Sequence, residues 1–432
     1  MDILGLKSLN TTESNELDTV FRIQAEMKDA PICCQKCGSV RQHNLSKYGK
    51  KTQSYMDIPI RGKRVCVFVD RQRYICRDCG STFREELPDM DDSHMATKRL
   101  VTYIQQQSLL KTFTSLAEDI GLHEKTIRNI FHAYAGGLNK AYKPVIPNWI
   151  GIDEIHIIKA PRCVITNIVN NSLIDMLPGR TKAEVYAWFL KLPKRRHVEY
   201  VTMDMWRPYK IVCNELLPHA KVIVDKFHIV RLANYALDTI RKETRANLTG
   251  RTRTTLLHDR FILLRRKHTL SARENEILDS WVDHYPSLYN AYCLKELFYT
   301  IFESGDKKIA IEQFQQWKSL ITEDIAHSFN PLAKTFENWQ EEITNYFDMP
   351  LTNAYTESFN NLIRTTNRMG RGYSFEVLRV KMLFGKKKKI TQSVKPPKGI
   401  DKSLSLIELP IGMIPEFYVQ SKGRVSRLHK AD

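Results

Sequence analysis

Two cysteine pairs of equal spacing, Cys34-Gln35-Lys36-Cys37 and Cys76-Arg77-Asp78-Cys79, constrain the N-terminal region of this chain more than any other feature. A C-x-x-C turn presents two thiolates to one ion, and the glycines that follow, Gly38 and Gly80, allow the tight backbone turn around the sulfurs. The pairs predict one structural zinc ion held by Cys34, Cys37, Cys76 and Cys79. A redox role for the pairs is the competing reading. Cys33 competes with Cys34 as a ligand, but its x-x-x spacing to Cys37 is the poorer match. The gap from Cys37 to Cys76 is longer than the roughly 15 to 20 residues of an ordinary zinc ribbon, so a hairpin must project from the site. Pro59 and Gly62 mark its turn, Val65, Val67 and Val69 alternate along its return strand, and Cys66 between them reads as a packed thiol. Residues 1 to about 30 carry little signal beyond an apolar stretch at Val20 to Ile23.

Nine cysteines are an odd number without the spacing of a disulfide scaffold, which fits a reducing compartment. Lys plus Arg number 66 against 48 Asp plus Glu, a formal net charge of +18 that calls for a polyanionic partner. An anionic membrane surface is the alternative, yet no apolar run of about 18 residues and no basic-then-apolar leader occurs. The expectation is a soluble, cytoplasmic protein, without a membrane partner. Helical spacing appears between Lys98 and Tyr134, with Gly121 between two short helices. This reads as a helix-turn-helix whose second helix would offer His123, Lys125, Arg128 and Asn129 to duplex DNA. An ordinary helical hairpin has the same periodicity.

After the proline-containing linker Lys143 to Pro147, strands are predicted at Trp149–Ile158, Cys163–Val169, Ser172–Leu177, Val198–Met203 and Lys221–Val224. Helices are predicted at Lys182–Leu192, Tyr209–Leu217 and Phe227–Arg245, giving an α/β sheet of mixed direction. Asp153 interrupts the first strand and Asp204 ends the fourth, where a carboxylate can point into a ligand crevice. Asp153-Glu154-Ile155-His156 also spells a helicase motif, but the phosphate-cradling glycine-rich loop such an enzyme needs is missing from the sequence. Asp225 reads as a helix N-cap ahead of a packed Phe227, with the competing reading that Asp225 or His228 serves the site. Trp206 reads as core or as a base-stacking ring. A long charged helical stretch follows to about Tyr346, and then a basic run, Lys386 to Lys389, with Pro396-Pro397 opening a tail.

The ordered set of paired cysteines, helix-turn-helix, Ile152-Asp153-Glu154, Asp204-Met205 with Tyr209-Lys210, Asp225-Lys226-Phe227-His228, and Thr356-Glu357-Ser358-Phe359-Asn360-Asn361 resembles the DDE transposases of bacterial insertion sequences, ISL-three type. The resemblance covers nearly the whole chain. It implies a ribonuclease-H-like core split by a helical insertion, with Asp153 on the first strand, Asp204 on the fourth and Glu357 on a helix after the insertion. The expected division is a zinc module over 1–90, a helix-turn-helix over 91–143, the core over 144–245 and 346–390, the insertion over 246–345 and a tail over 391–432. Glu341, Glu342 and Asp225 are competing third acids. Glu357 is preferred because Thr356, Asn360 and Asn361 put polar groups near it, and because Tyr355, Phe359 and Leu362 would pack one side of its helix while the glutamate faces the crevice.

Three carboxylates suit two magnesium ions about 3.5 to 4 Å apart, which stabilise the attacking and leaving oxygens of a phosphodiester displacement; manganese can substitute. Arg364, Arg368 and Arg371 would add phosphate contacts if they share the face of Glu357. The implied partners are duplex DNA with terminal inverted repeats, target DNA, and a second copy of the chain on DNA, with a place at the bacterial nucleoid. A catalytically inert transposase-derived regulator and another ribonuclease-H-like nuclease are the alternatives.

Overall fold

The computed structural model describes residues 5–193 and 195–385; the basic run at Lys386 to Lys389, Pro396-Pro397 and the tail over 391–432 lie outside the described residues. The N-terminal sheet has seven strands: β1 (Leu9–Glu16), β2 (Val20–Met27), β3 (Leu45–Ile60), β4 (Lys63–Cys76), β5 (Thr82–Arg84), β6 (Met90–Asp91) and β7 (Ala96–Thr97). Their order is β1-β2-β4-β3-β7-β6, with β5 on β4. The expected hairpin is β3 and β4, turning at Arg61-Gly62, both of positive φ. Val65, Val67 and Val69 alternate inward against Ile23 and Tyr55, all fully buried. Strands β1 and β2 occupy residues that carried almost no signal, because β1 (LNTTESNE) is polar and largely exposed. The sheet also continues past residue 90 to Thr97.

Three helices follow: α1 (Lys98–Gln107), α2 (Phe113–Ile120) and α3 (Glu124–Ala141). Thr112 caps α2, Gly121 ends it in the left-handed conformation (φ 86°), and His123 Nδ1 accepts from Lys125 N to cap α3. The second helix of the unit is 18 residues long rather than short, and continues toward the next domain.

The central sheet contains β8 (Trp149–Ile157), β9 (Ala160–Asn167), β10 (Ser172–Leu177), β11 (Tyr200–Met203) and β12 (Lys221–Val224), in the order β10-β9-β8-β11-β12. The first three strands are antiparallel, and β11 runs parallel to both β8 and β12. Helices α4 (Lys182–Leu190), α5 (Arg207–Leu216) and α6 (Lys226–Ala246) alternate with the later strands. The helical stretch comprises α7 (Gly250–His258), α8 (Arg260–Leu264), α9 (Ala272–His284), α10 (Pro286–Ile301), α11 (Lys307–Ser319), α12 (Ala326–Asn338) and α13 (Gln340–Asp348). It shares one hydrophobic core with the sheet, running from Ile150 and Val201 through Ala233 to Phe298, Phe336 and Ile343. Asn345 Nδ2 donates to the Val222 carbonyl at 2.9 Å, seating α13 on the edge strand.

The described chain ends in α14 (Ala354–Gly370) and α15 (Phe375–Phe384). Helix α15 packs jointly on β10 and α3, so Leu378 and Phe375 share a core with Phe113, Phe131 and Val164. Lys381 is buried there, its Nζ donating to the carbonyls of Ser108 and Lys111 with the rings of Phe113, Phe131 and Tyr373 around it. Burial pushes its ammonium down to about 8. Among the described residues, no helix is long and apolar enough to cross a membrane.

Candidate active site

Sheet register turns distant acids into neighbours. Ile152 of β8 pairs with Met203 of the parallel strand β11, so Asp153 and Asp204, each one residue further on, emerge side by side. Glu357 arrives from the first turn of α14.

That helix lies on the sheet through a polar face beside the expected apolar one, of which Tyr355 and Phe359 pack and Leu362 does not. Thr356, Asn360 and the preceding Asn353 are buried, while Leu362, expected to pack, is 51% exposed; Phe359 and Ile363 supply the apolar contact. The close approach requires Gly151. A Cβ there would meet Asn353 Oδ1 and Thr166 Oγ1 at 2.6 Å and Thr356 Oγ1 at 2.7 Å. Thr356 and Thr166 bond through their hydroxyls at 2.7 Å, Thr356 also donates to Asn353 Oδ1, and Asn353 Nδ2 donates to the Ile152 carbonyl at 3.3 Å. Asp225 joins both ends of the site: Oδ1 accepts from Phe227 N to cap α6, and Oδ2 accepts from Asn353 N ahead of α14. The N-cap reading of Asp225 therefore holds, and the second bond makes it a brace between α6 and α14.

The cleft so formed has a volume of about 530 Å³ and is lined by Asp153, Asp204, Glu357, His228 and Asn360. Asp153 Oδ1 accepts from Glu154 N, and Oδ2 accepts from Asn360 Nδ2 at 2.8 Å, which fixes its orientation. His228 Nε2 stands 3.4 Å from Asp204 Oδ1 and 3.9 Å from Glu357 Oε1. Burial, then the charge of Asp204, pushes Asp153 up to about 8; burial first, with Asp225 and Glu357 adding, pushes Asp204 up to about 6, while Arg231 opposes. Asp204 Oδ1, His228 Nε2 and Asn360 Oδ1 are buried with no hydrogen-bond partner among the described residues. Candidate ligand atoms of Asp153, Asp204 and His228 lie within 4.8 Å of one another, as do those of Asp225, His228 and Glu357. Carboxylates that repel each other, with the buried Asp204 Oδ1 left without a hydrogen bond among the described residues, fit divalent cations.

The other expected residues fall in different places. Arg364 lines the acidic cleft. Arg368 is exposed in the last turn of α14, and Arg371 caps that helix in the left-handed conformation, where it lines a separate cavity with Glu124 and Arg128. The three arginines therefore do not act as one group around Glu357, because the helix ends before Arg371. Lys125, Arg128 and Asn129 are exposed together on α3, and Arg128 pairs with Glu124 at 2.7 Å. His123 is exposed too, with Nδ1 committed to its cap. Glu342 pairs with Lys210 rather than lining the cleft, and Glu341 is exposed on α13. Trp206 is partly exposed under the Arg180 guanidinium, 4.1 Å away. Phe227, expected to be packed, is 64% exposed, because the cap turns its side chain outward.

The cysteine pairs make a second centre. Cys34 and Cys79 sulfurs are 3.8 Å apart, as are those of Cys37 and Cys76, and all four lie within 4.8 Å of one another. A tetrahedron with Zn–S bonds of about 2.3 Å has edges of about 3.8 Å. Each turn closes through a glycine amide: Gly38 N donates to Cys34 O and Gly80 N to Cys76 O, both glycines having positive φ. Cys33 stays outside the cluster.

Gly151 and Asn353 were missed at the sequence level, whereas Asn360 was expected beside Glu357 and lines the same cleft. A glycine inside an apolar strand signals close backbone approach, and would have found the first.

Residues 150–382 match the family model of the ISL3 DDE transposase, residues 85–135 the helix-turn-helix domain of transposase family ISL3, and residues 30–79 the zinc-finger of transposases IS204, IS1001, IS1096 and IS1165. The chain is 22% identical to the transposase for insertion sequence element IS1001 of Bordetella parapertussis over 355 residues, 79% of this chain and 85% of the relative. It is 26% identical to the transposase for IS1557 of Mycobacterium tuberculosis over 254 residues, 52% of this chain and 56% of the relative.

Proposed function

The chain belongs to transposase family ISL3, and on that premise we propose that Asp153, Asp204 and Glu357 are the acids of its DDE centre. It is a DNA transposase, an enzyme that binds DNA and transfers polynucleotide strands. Its N-terminal zinc ribbon carries the four cysteines of a structural zinc site. The observation that carries the proposal is the convergence of three carboxylates from β8, the end of β11 and α14 in one cleft.

Divalent cations, two magnesium ions in this reading with manganese able to replace them, supply phosphate charge neutralisation and an acidified water when bound. Asp153, held by Asn360 and the Glu154 amide, would offer a fixed carboxylate to such ions. Asp204 and Glu357 complete the donor set, with His228 between them. Arg231 and Arg364 at the rim face the phosphates of the strand being processed. The sheet order, with three antiparallel strands followed by two parallel ones, supports a ribonuclease-H-like core. In this reading residues 144–245 and 346–390 are that core, 246–345 its insertion, 1–90 the zinc module, and 91–143 the domain that reads terminal inverted repeats through Lys125, Arg128 and Asn129. Joining two transposon ends to target DNA would engage two copies of the chain.

A strand-transfer assay with a labelled transposon end tests this. Asp153→Ala, Asp204→Ala and Glu357→Ala should each lower product about 10³-fold or more, while end binding stays within a few-fold, and pairs of substitutions should cost little beyond one. Near-normal transfer by Glu357→Gln, alongside an inactive Asp225→Asn, would move the third acid to Asp225.

A further inference from the structure

Helix α6 begins in the acidic cleft, and its exposed face leads out of it. Asp225 and His228 turn inward at its start, whereas Phe227, Arg231 and Tyr235, spaced i, i+4 and i+8, form one exposed stripe. A phenylalanine 64% exposed beside a polar cleft leaves a large apolar ring in water. Arg231 stacks on Tyr235 at 5.5 Å and makes no ion pair within 4.0 Å among the described residues, although its charge reaches Asp204. It also lines two spaces at once: the acidic cleft and an adjoining cavity of about 390 Å³ between α6 and α10. Phe227 and Lys226 form one wall of that cavity, and Tyr299 and Arg266 another. Arg266 is already paired with Glu296 and Glu303, and the Lys226 ammonium sits over the Tyr346 ring, so Arg231 is the guanidinium left for an anion.

The volume suits a ligand of nucleotide size. An exposed ring next to an unpaired guanidinium matches a base with its phosphate, and the base must be unpaired, because bases within a duplex hide their faces in the stack. Continuity with the cleft through Arg231 says where that nucleotide belongs. We infer that the cavity between α6 and α10 holds an unpaired nucleotide of the DNA strand entering the acidic cleft, stacked on Phe227 with its phosphate on Arg231. This rests on the reading that the cleft processes a DNA strand.

The test compares binding of the full chain to a blunt 20-base-pair duplex with binding to the same duplex carrying a six-nucleotide oligo-dT tail, without added magnesium. The unaltered protein should prefer the tailed DNA. Phe227→Ala should weaken tailed binding by roughly 5- to 150-fold, the 1 to 3 kcal/mol of one base–ring stack, and leave blunt binding unchanged. Phe227→Trp should keep the preference, and Arg231→Ala should lower the slope of log affinity against log salt for the tail by about 0.7. Because the Phe227 ring is exposed, unchanged melting temperatures are expected for its variants and establish that they are folded. Equal binding of the two DNAs by the unaltered protein overturns the proposal. So does an undiminished tail preference in Phe227→Ala, including a variant that changes only self-association, which would make the ring a protein contact. Strand transfer is scored separately: its retention with no tail preference removes the nucleotide site alone, whereas its absence in the unaltered protein removes the assignment of the cleft.

Discussion

The sulfur cluster and the acidic cleft are both built to hold cations, yet they are assembled in opposite ways. Each cysteine pair is shaped by its own turn, with a glycine amide closing on the carbonyl of the first cysteine, and one antiparallel hairpin brings the two turns together. The acids have no such local geometry. Asp153 and Asp204 meet through parallel register, and Glu357 is delivered by a helix that docks on hydroxyls and amides over a missing side chain at Gly151. A site made by turns tolerates change elsewhere; a site made by docking depends on residues that never touch a metal.

Gly151→Val is the sharpest break of that contrast. Its side chain would collide with Asn353, Thr166 and Thr356, none of which can move without giving up a buried hydrogen bond. Overpacking of this kind costs about 1–3 kcal/mol, and a displacement of about 1 Å in a catalytic group can cost about 10²-fold in rate. Strand transfer should fall at least that far, while zinc content stays at one ion per chain. Unchanged transfer would show that α14 does not need its close seat on β8.

Cys34→Ser gives the reciprocal result. Zinc measured by elemental analysis should be lost and the N-terminal sheet destabilised, because binding free energy at such sites is folding free energy. Magnesium-dependent stabilisation of the remainder should persist. Loss of both responses would mean that the two centres are one cooperative unit.

A smaller effect separates the centres by pH. Asp153 and Asp204 are raised to about 8 and about 6, against roughly 3.9 in an unfolded chain. Between those values the folded protein binds more protons than the unfolded one. Their contribution to stability is therefore fully present below pH about 4 and is lost as pH rises through about 6 to 8. A divalent ion favours the ionised carboxylates, so added magnesium should raise the melting temperature by a few degrees more at pH 8 than at pH 5. Asp153→Asn should remove most of this difference. A magnesium response independent of pH, or larger at pH 5, would contradict the carboxylate pair as its source.

The legible parts of this protein were those whose cause is local. Cys34, Cys37, Cys76 and Cys79 announced their cluster through spacing and two glycines, and all five strands of the central sheet were predictable to within a few residues from apolar runs ending in polar ones. Strand β1 was not, since an exposed polar strand at a sheet edge has no apolar alternation to read. Glu357 was chosen by resemblance, by the polar residues beside it and by the apolar spacing of its helix, a spacing that holds for Tyr355 and Phe359 and fails for Leu362. Leu362 points to solvent, and Thr356 and Asn360 are buried in its place. Buried polar residues are indistinguishable in sequence from exposed ones until their partners are known, and here the partners lie 190 and 207 positions away.

By itself, the sequence determined the composition of both centres: four thiolates in two C-x-x-C turns, and one aspartate within and one at the end of apolar strands in an α/β pattern. Only the tertiary structure decided that the aspartates emerge side by side from adjacent strands, that Glu357 rather than Glu341 or Glu342 lines the cleft with them, that His228 stands between Asp204 and Glu357, and that Phe227 faces water. The physical reason is range. Turn geometry and strand alternation act over a few residues, whereas register between parallel strands and the docking of a helix on a glycine are settled by contacts whose partners the chain brings together only when it folds.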